Sequence, residues 1–571
     1  MKRALGLVVA IGVAWANALW GQTGGRLGVT LHDGSATFRV WAQDASGVVV
    51  DVDGHPPVAM RAQGADEWEA TLPDVRAGQT YAYRITRGAT TLPEADPEAS
   101  ALASGRSVIV APWAPPASFS EPSFNRMVMY ELHVGSFTPA GTFAGVEDKL
   151  PYLQSLGINA VELMPVVENR LRPDNAPVDY DWGYDPLDFN AVKAAYGTPM
   201  ALAHLVSECH RHGMAVILDV VYNHVTWGSV LDRPWFGPHN TPWGPRPDFS
   251  NPHVRDGIVE NAMRWQRDYG MDGLRWDSVV NMRRWPQGPP DSDGASLLKA
   301  FNDLCHAALP EHLMIAEDLQ HDPAVISDLE FDTQWDEAYW WALKHALVDG
   351  QTDGMADRIA DGTASNRVIY AENHDKVGHP SDGEVRLPSL VSPEAPQDLR
   401  ATQVSMLAAA LVLTSPGIPM LFQGQDTLDW RTFEFHHRVP VDWDRVRTKA
   451  GAVDMYRDLI RLRLSLDGLA GSQTQVFHRD PNVLAWLRSD TPGTEVVVVA
   501  NLAAQAQDAT IGLPGAGRWQ VRFDSALRRY DARLSRETDA DVVPLARPQD
   551  GLPASTTVPL QPYSLMVLSR R

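Results

Sequence analysis

Between residues 124 and about 466 one pattern recurs eight times: a short apolar run, then a stretch of helical periodicity. The runs are "VMYELHVG", "NAVELMPV", "MAVILDVV", "GLRWDSV", "LMIAEDL", "LEFDTQW", "RVIYAENHD" and "PMLFQGQD". Strands this apolar have no face left for solvent, which is the signature of parallel strands covered on both sides. Eight of them alternating with helices predict an α/β chain built on a (β/α)8 TIM barrel. The rival, a doubly wound open sheet, is weakened by the strand number and by the lack of a G-x-G-x-x-G loop. Between the first two runs, "GVEDKLPYLQSLG" predicts a helix with Val146, Leu150, Leu153 and Leu156 on one face and Gly157 closing it.

The flanks read differently. Residues 22–112 alternate in the β manner ("ATFRVWA", "VVVDV", "EWEATLP", "TYAYRI") and predict an N-terminal β-sandwich. A Pro-rich connector, "APWAPPASFSEPSF", places a boundary near residue 120, so the barrel spans 124–468. Residues 471–571 return to β character and predict a C-terminal all-β domain. At the start, Lys2 and Arg3 precede an apolar run ending near Ala16-Asn17-Ala18, which predicts a signal peptide over 1–21 and a secreted or periplasmic protein. The rival is an uncleaved membrane anchor, for which the run is slightly short. No other segment is long and apolar enough to span a bilayer. The two cysteines, Cys209 and Cys305, make no disulfide framework and are expected as buried free thiols. A net charge of -22 disfavours nucleic acid and anionic membranes and is indifferent to an uncharged ligand.

In a barrel, reactive groups belong at the C-terminal ends of the strands. There the apolar runs give way to polar residues: Asp219, Asn223 and His224 after the third, Arg275 and Asp277 on the fourth, Glu317 and Asp318 on the fifth, His374 and Asp375 on the seventh. One such end is usually a helix cap or a satisfied ion pair. Four must converge on one mouth, because the strands are parallel. Metal binding would want closely spaced histidines, and no such pair stands at a strand end. Glycoside cleavage wants one carboxylate as nucleophile and one protonated acid. Asp277 and Glu317 lie about one βα unit apart, hence on adjacent strands. Residues two apart on a strand share a face, so Arg275 is expected beside Asp277, with Leu274 and Trp276 packing on the other side.

The four strand ends "DVVYNH", "GLRWDSV", "IAED" and "ENHD" resemble, in order, the signature regions of the α-amylase family of glycoside hydrolases and transglycosidases. That resemblance implies Asp277 as nucleophile, Glu317 as general acid/base and Asp375 as the transition-state carboxylate. It implies Arg275, His224 and His374 as sugar-holding residues, and Tyr184 in "DWGYDP" as a stacking residue. It also implies α-1,4-glucan as substrate and no required cofactor. The short insertion at 225–253 weighs against the amylase calcium site, although Asn223 matches one of its ligands.

Within the family, "YELHVGSFTPAGTF" is similar to branching enzymes and maltooligosyltrehalose trehalohydrolases alike. "VIYAENHDKVGHP" and "TSPGIPMLFQGQD" look closest to bacterial 1,4-α-glucan branching enzymes. The apparent export favours a secreted α-amylase-type hydrolase instead. A glucan-binding barrel without activity is the remaining alternative, set against the retention of all three carboxylates.

Overall fold

A computed structural model of the chain describes residues 26–169, 180–227, 229, 235–285, 288–361, 366–435, 437–538 and 542–570. Residues 1–21, read from the sequence as a signal peptide, lie outside them. The barrel is closed and parallel, with strands β1 (Met129–Leu132), β2 (Ala160–Leu163), β3 (Ala215–Val220), β4 (Gly273–Trp276), β5 (Leu313–Ala316), β6 (Thr333–Trp335), β7 (Arg367–Tyr370) and β8 (Ile418–Phe422). Seven fall within the apolar runs read from the sequence, and β8 starts one residue before its run, at Ile418. Closure comes from β8 pairing with β1, Met420 opposite Met129.

Alternation along each strand divides its side chains between two cores. Met129, Ala160, Ile217, Ile315, Val368 and Met420 fill the barrel interior. Leu132, Leu163, Leu218, Leu274 and Trp276 point outward into the layer packed against the helices. Arg275 therefore points inward, and it is fully buried. Between β1 and β2 the single predicted helix is two: Phe143–Glu147 and Leu150–Leu156. Pro151 is the reason, since proline fits the first turn of a helix but not its interior. Val146, Leu150, Leu153 and Leu156 still bury together, and Gly157 ends the second helix at φ +98°.

The N-terminal β domain is a pair of antiparallel sheets, one carrying Ser35–Trp41 and Glu67–Pro73, the other Gly47–Val52 and Thr80–Arg87. Phe38, Val50, Tyr81 and Tyr83 form its core. The C-terminal domain pairs a five-stranded sheet with a two-stranded ribbon, Gln507–Leu513 against Ala554–Leu560. Cys209 and Cys305 are buried and free. Among the described residues, no helix is long and apolar enough to cross a membrane.

Candidate functional site

β4 and β5 are in register, Trp276 opposite Ala316. One residue further, both strands end in a carboxylate: Asp277 and Glu317. The backbone confirms the pairing, with Glu317 N donating to Trp276 O at 3.0 Å and Val279 N to Glu317 O at 2.9 Å. Arg275 joins them from below. Its Nη1 donates to Asp277 Oδ1 at 3.0 Å and to both oxygens of Asp219 at 2.9 and 2.8 Å, while its Nη2 stands 3.1 Å from Glu317 Oε2. Trp335 lies against the guanidinium, 4.1 Å from ring centroid to Cζ. One buried cation thus serves three acids, and Asp277 and Glu317 meet on the same guanidinium.

The two carboxylates have different neighbours. Asp277 accepts from Asn223 Nδ2 at Oδ2, 2.7 Å away, and the same amide reaches the Asp277 carbonyl at 2.9 Å. Asn223 Oδ1 lies 2.6 Å from His224 Nδ1, so His224 is held through Asn223. Glu317 accepts one hydrogen bond, from Ser278 N to Oε2 at 2.8 Å. Burial, with Asp277 and Asp375 nearby, pushes its carboxyl up to about 8 against the opposing pull of Arg275. Glu317 therefore keeps its proton at neutral pH, as a leaving-group acid must.

Asp375 behaves in the opposite way. Burial alone would raise it, but His374, His379 and Arg275 hold it below the usual carboxylate range. His374 Nε2 is 3.4 Å from Asp375 Oδ1, and His379 Nε2 is 3.7 Å from the same oxygen. Tyr184 stacks on His374, with centroids 4.8 Å apart and planes 18° from parallel, and its hydroxyl donates to Asp219 Oδ2 at 2.5 Å. Trp182 meets His374 edge-on. A cleft opens beside Glu317 and Asp375, lined also by Trp335, Tyr370, Asn373 and Lys376.

The seven residues to which the resemblance gives a role lie around one mouth: Tyr184, His224, Arg275, Asp277, Glu317, His374 and Asp375. The sequence reading missed Glu131 on β1 and Glu162 on β2, whose side chains are buried in the top layer of the barrel. Each was visible as a lone acid inside an apolar run. The Asn223 amide is engaged by Asp277 and His224.

Three family models match consecutive parts of the chain. They are Carbohydrate-binding module 48 (Isoamylase N-terminal domain) at residues 26–117, the Alpha amylase catalytic domain at 113–233, and the Alpha amylase C-terminal all-beta domain at 475–571. A malto-oligosyltrehalose trehalohydrolase of Saccharolobus solfataricus is 31% identical over 446 residues, covering 70% of this chain and 74% of that protein. A 1,4-alpha-glucan branching enzyme of Nocardia farcinica is 28% identical over 601 residues, covering 93% of this chain and 78% of that protein. Among solved structures, a pullulanase of Anoxybacillus sp. LM18-11 complexed with maltotriose superposes with a TM-score of 0.78 at 19% identity, over 97% of this chain and 87% of that one.

Proposed function

The chain belongs to the α-amylase family of glycoside hydrolases, and from that premise we propose that it cleaves α-1,4-glucans with retention and passes the cleaved glucan to another glucan hydroxyl, as a 1,4-α-glucan branching enzyme. The observation that carries the reading is the shared guanidinium: Arg275 touches Asp277 and Glu317 together, and burial pushes the Glu317 carboxyl up to about 8. In the first step the Asp277 carboxylate attacks the anomeric carbon while the glycosidic C–O bond breaks. Glu317 gives its proton to the departing oxygen, leaving a covalent β-glucosyl ester. In the second step Glu317, now ionised, takes the proton of an incoming hydroxyl, which displaces Asp277 and restores the α configuration. Asp375 stabilises the positive charge that develops at the sugar ring, and Arg275 orients the Asp277 carboxylate for its attack. Tyr184, His224 and His374 hold the reacting sugar.

Branching is favoured by the relative that aligns over 93% of this chain, both β domains included. A second reading, release of trehalose from a maltooligosyltrehalose, is favoured by the higher identity to the trehalohydrolase. Purified protein incubated with amylose separates them. New α-1,6 branches after debranching analysis, a shifted iodine spectrum and few new reducing ends support transfer. Rising reducing sugar means hydrolysis, and trehalose from a maltooligosyltrehalose selects the second reading. With Asn223 committed to Asp277 and His224, no cation is needed to order this loop. Dialysis against a chelator should therefore leave rate and melting temperature unchanged.

A further inference from the structure

The barrel interior just beneath the site holds an acid that the proposed reaction does not use. Glu131, on β1, is fully buried, and its Oε1 accepts from His374 Nδ1 at 2.5 Å. The other imidazole nitrogen, Nε2, faces Asp375 Oδ1 at 3.4 Å. Glu131, His374 and Asp375 therefore form a continuous line from the barrel interior to the mouth. The remaining oxygen, Glu131 Oε2, has no hydrogen-bond partner among the described residues, and neither oxygen of neighbouring Glu162 has one. Among the described residues His374 is the partner that accounts for burying Glu131 here, since a carboxylate gains little from such a place unless its partner is worth holding.

We propose that Glu131 is a positioning residue of the glucan reaction, fixing the ring orientation and charge of His374 so that the imidazole presents Nε2–H to the sugar and Asp375. This rests on the function proposed above. The hydrogen bond made by one imidazole nitrogen decides what the other can do. Burial works against charge on His374, but Asp375 and Glu131 together lift it to about 9. The other groups facing it are Tyr184, Arg275, His379 and, more distantly, His133, Glu162 and Asp219. Of these, Arg275 opposes the charge, and burial with its acidic neighbours holds Glu162 well above the usual carboxylate range.

Glu131→Gln keeps the shape and removes the charge. It should lower kcat about tenfold or more, as loss of an orienting partner commonly does, with KM little changed, because the contact matters most in the transition state. In ¹⁵N-histidine spectra the His374 titration should move to lower pH. In a His374→Asn background the same change should add nothing, since both substitutions break one line. Wild-type kinetics and an unmoved His374 titration in folded Glu131→Gln overturn the inference. Where Glu131→Gln does not fold, Glu131→Asp serves: it keeps the charge but shortens the reach, and wild-type kinetics from it overturn the inference equally. A wild-type enzyme inert on every glucan overturns the function proposed above, whereas the spectra test the Glu131–His374 coupling without turnover.

Discussion

The amide of Ser278 donates to Glu317 Oε2 at 2.8 Å, from a residue held at φ +43°. The residue after Asp277 thus enters the left-handed region, sparsely populated for side chains other than glycine, and in doing so aims its N–H at the neighbouring acid. Strain of this kind costs about 1–3 kcal/mol and persists where the surroundings enforce it. Here it joins the two carboxylates through the backbone as well as through Arg275.

Ser278→Gly should keep the amide in place and leave activity close to normal. Ser278→Val should destabilise by about 1–3 kcal/mol, since a β-branched residue resists positive φ. It should also draw the amide away from Glu317. That amide favours the carboxylate, so its loss raises the Glu317 pKa further, and the alkaline limit of activity should shift upward. Thermal unfolding and a pH–rate profile check both halves.

The wild-type profile has its own expected sign. Glu317 must be protonated to assist the leaving oxygen, and burial pushes it up to about 8. The rate of the first step should hold through neutral pH and fall as pH passes about 8. Removing the charge of Asp277 takes away one of the terms raising Glu317. In Asp277→Asn the Glu317 carboxyl should titrate at lower pH, read by carboxylate NMR or infrared difference spectra.

Asp277→Ala should abolish turnover without unfolding the barrel. Glu317→Gln should lose roughly 10²–10⁴-fold on ordinary glucans, the usual contribution of general acid catalysis. On an α-maltosyl fluoride, whose leaving group needs no proton, Glu317→Gln should still form the glycosyl-enzyme, and Asp277→Ala should not. Trapping of the covalent adduct by mass spectrometry distinguishes the two. Normal turnover by Asp277→Ala would refute the assignment.

Arg275→Leu removes a cation that contacts Asp219, Asp277 and Glu317 together. Breaking a buried ion pair from one side typically costs about 3–5 kcal/mol, because the partner charges stay behind. The variant should melt well below wild type at neutral pH. Part of the loss should be regained as pH falls from alkaline to neutral, because Asp219, pushed up to about 7 by burial against the pull of Arg275, rises further without that pull and takes up a proton. Melting curves at two pH values decide it.

Gly273→Ala tests how closely β4 and β5 approach. A Cβ there would sit 2.3 Å from Leu313 O and 2.8 Å from Ile217 Cδ1. The strands must part to admit it, at a cost of about 1–3 kcal/mol or more. Activity should fall beyond what the loss of folded protein explains, since Asp277 and Glu317 stand at the ends of those same strands.

The barrel was legible because its strands are buried on both faces and so stand out as apolar runs, and because "GLRWDSV" and "IAED" break those runs at the reactive end. Glu131 and Glu162 were not, for a physical reason. A single acid within an apolar strand carries no sign of what it meets across the barrel, and its partner His374 lies 243 residues away in the chain. The break at Pro151 was in the sequence, but the continuous apolar face of Val146 through Leu156 masked it. In the β domains, the strands Gln507–Leu513 and Trp519–Asp524 escaped notice because neither keeps strict alternation.

The pairing of Trp276 with Ala316 sets a condition on how this molecule must assemble. Were β4 to settle against β5 one step out of place, Arg275 would turn toward the helices and the acids would part company. Such a species could retain a full complement of helix and strand and pass for native by circular dichroism. Turnover would then be the stricter witness of correct assembly, since it registers a shift of a single residue that spectroscopy of the backbone overlooks.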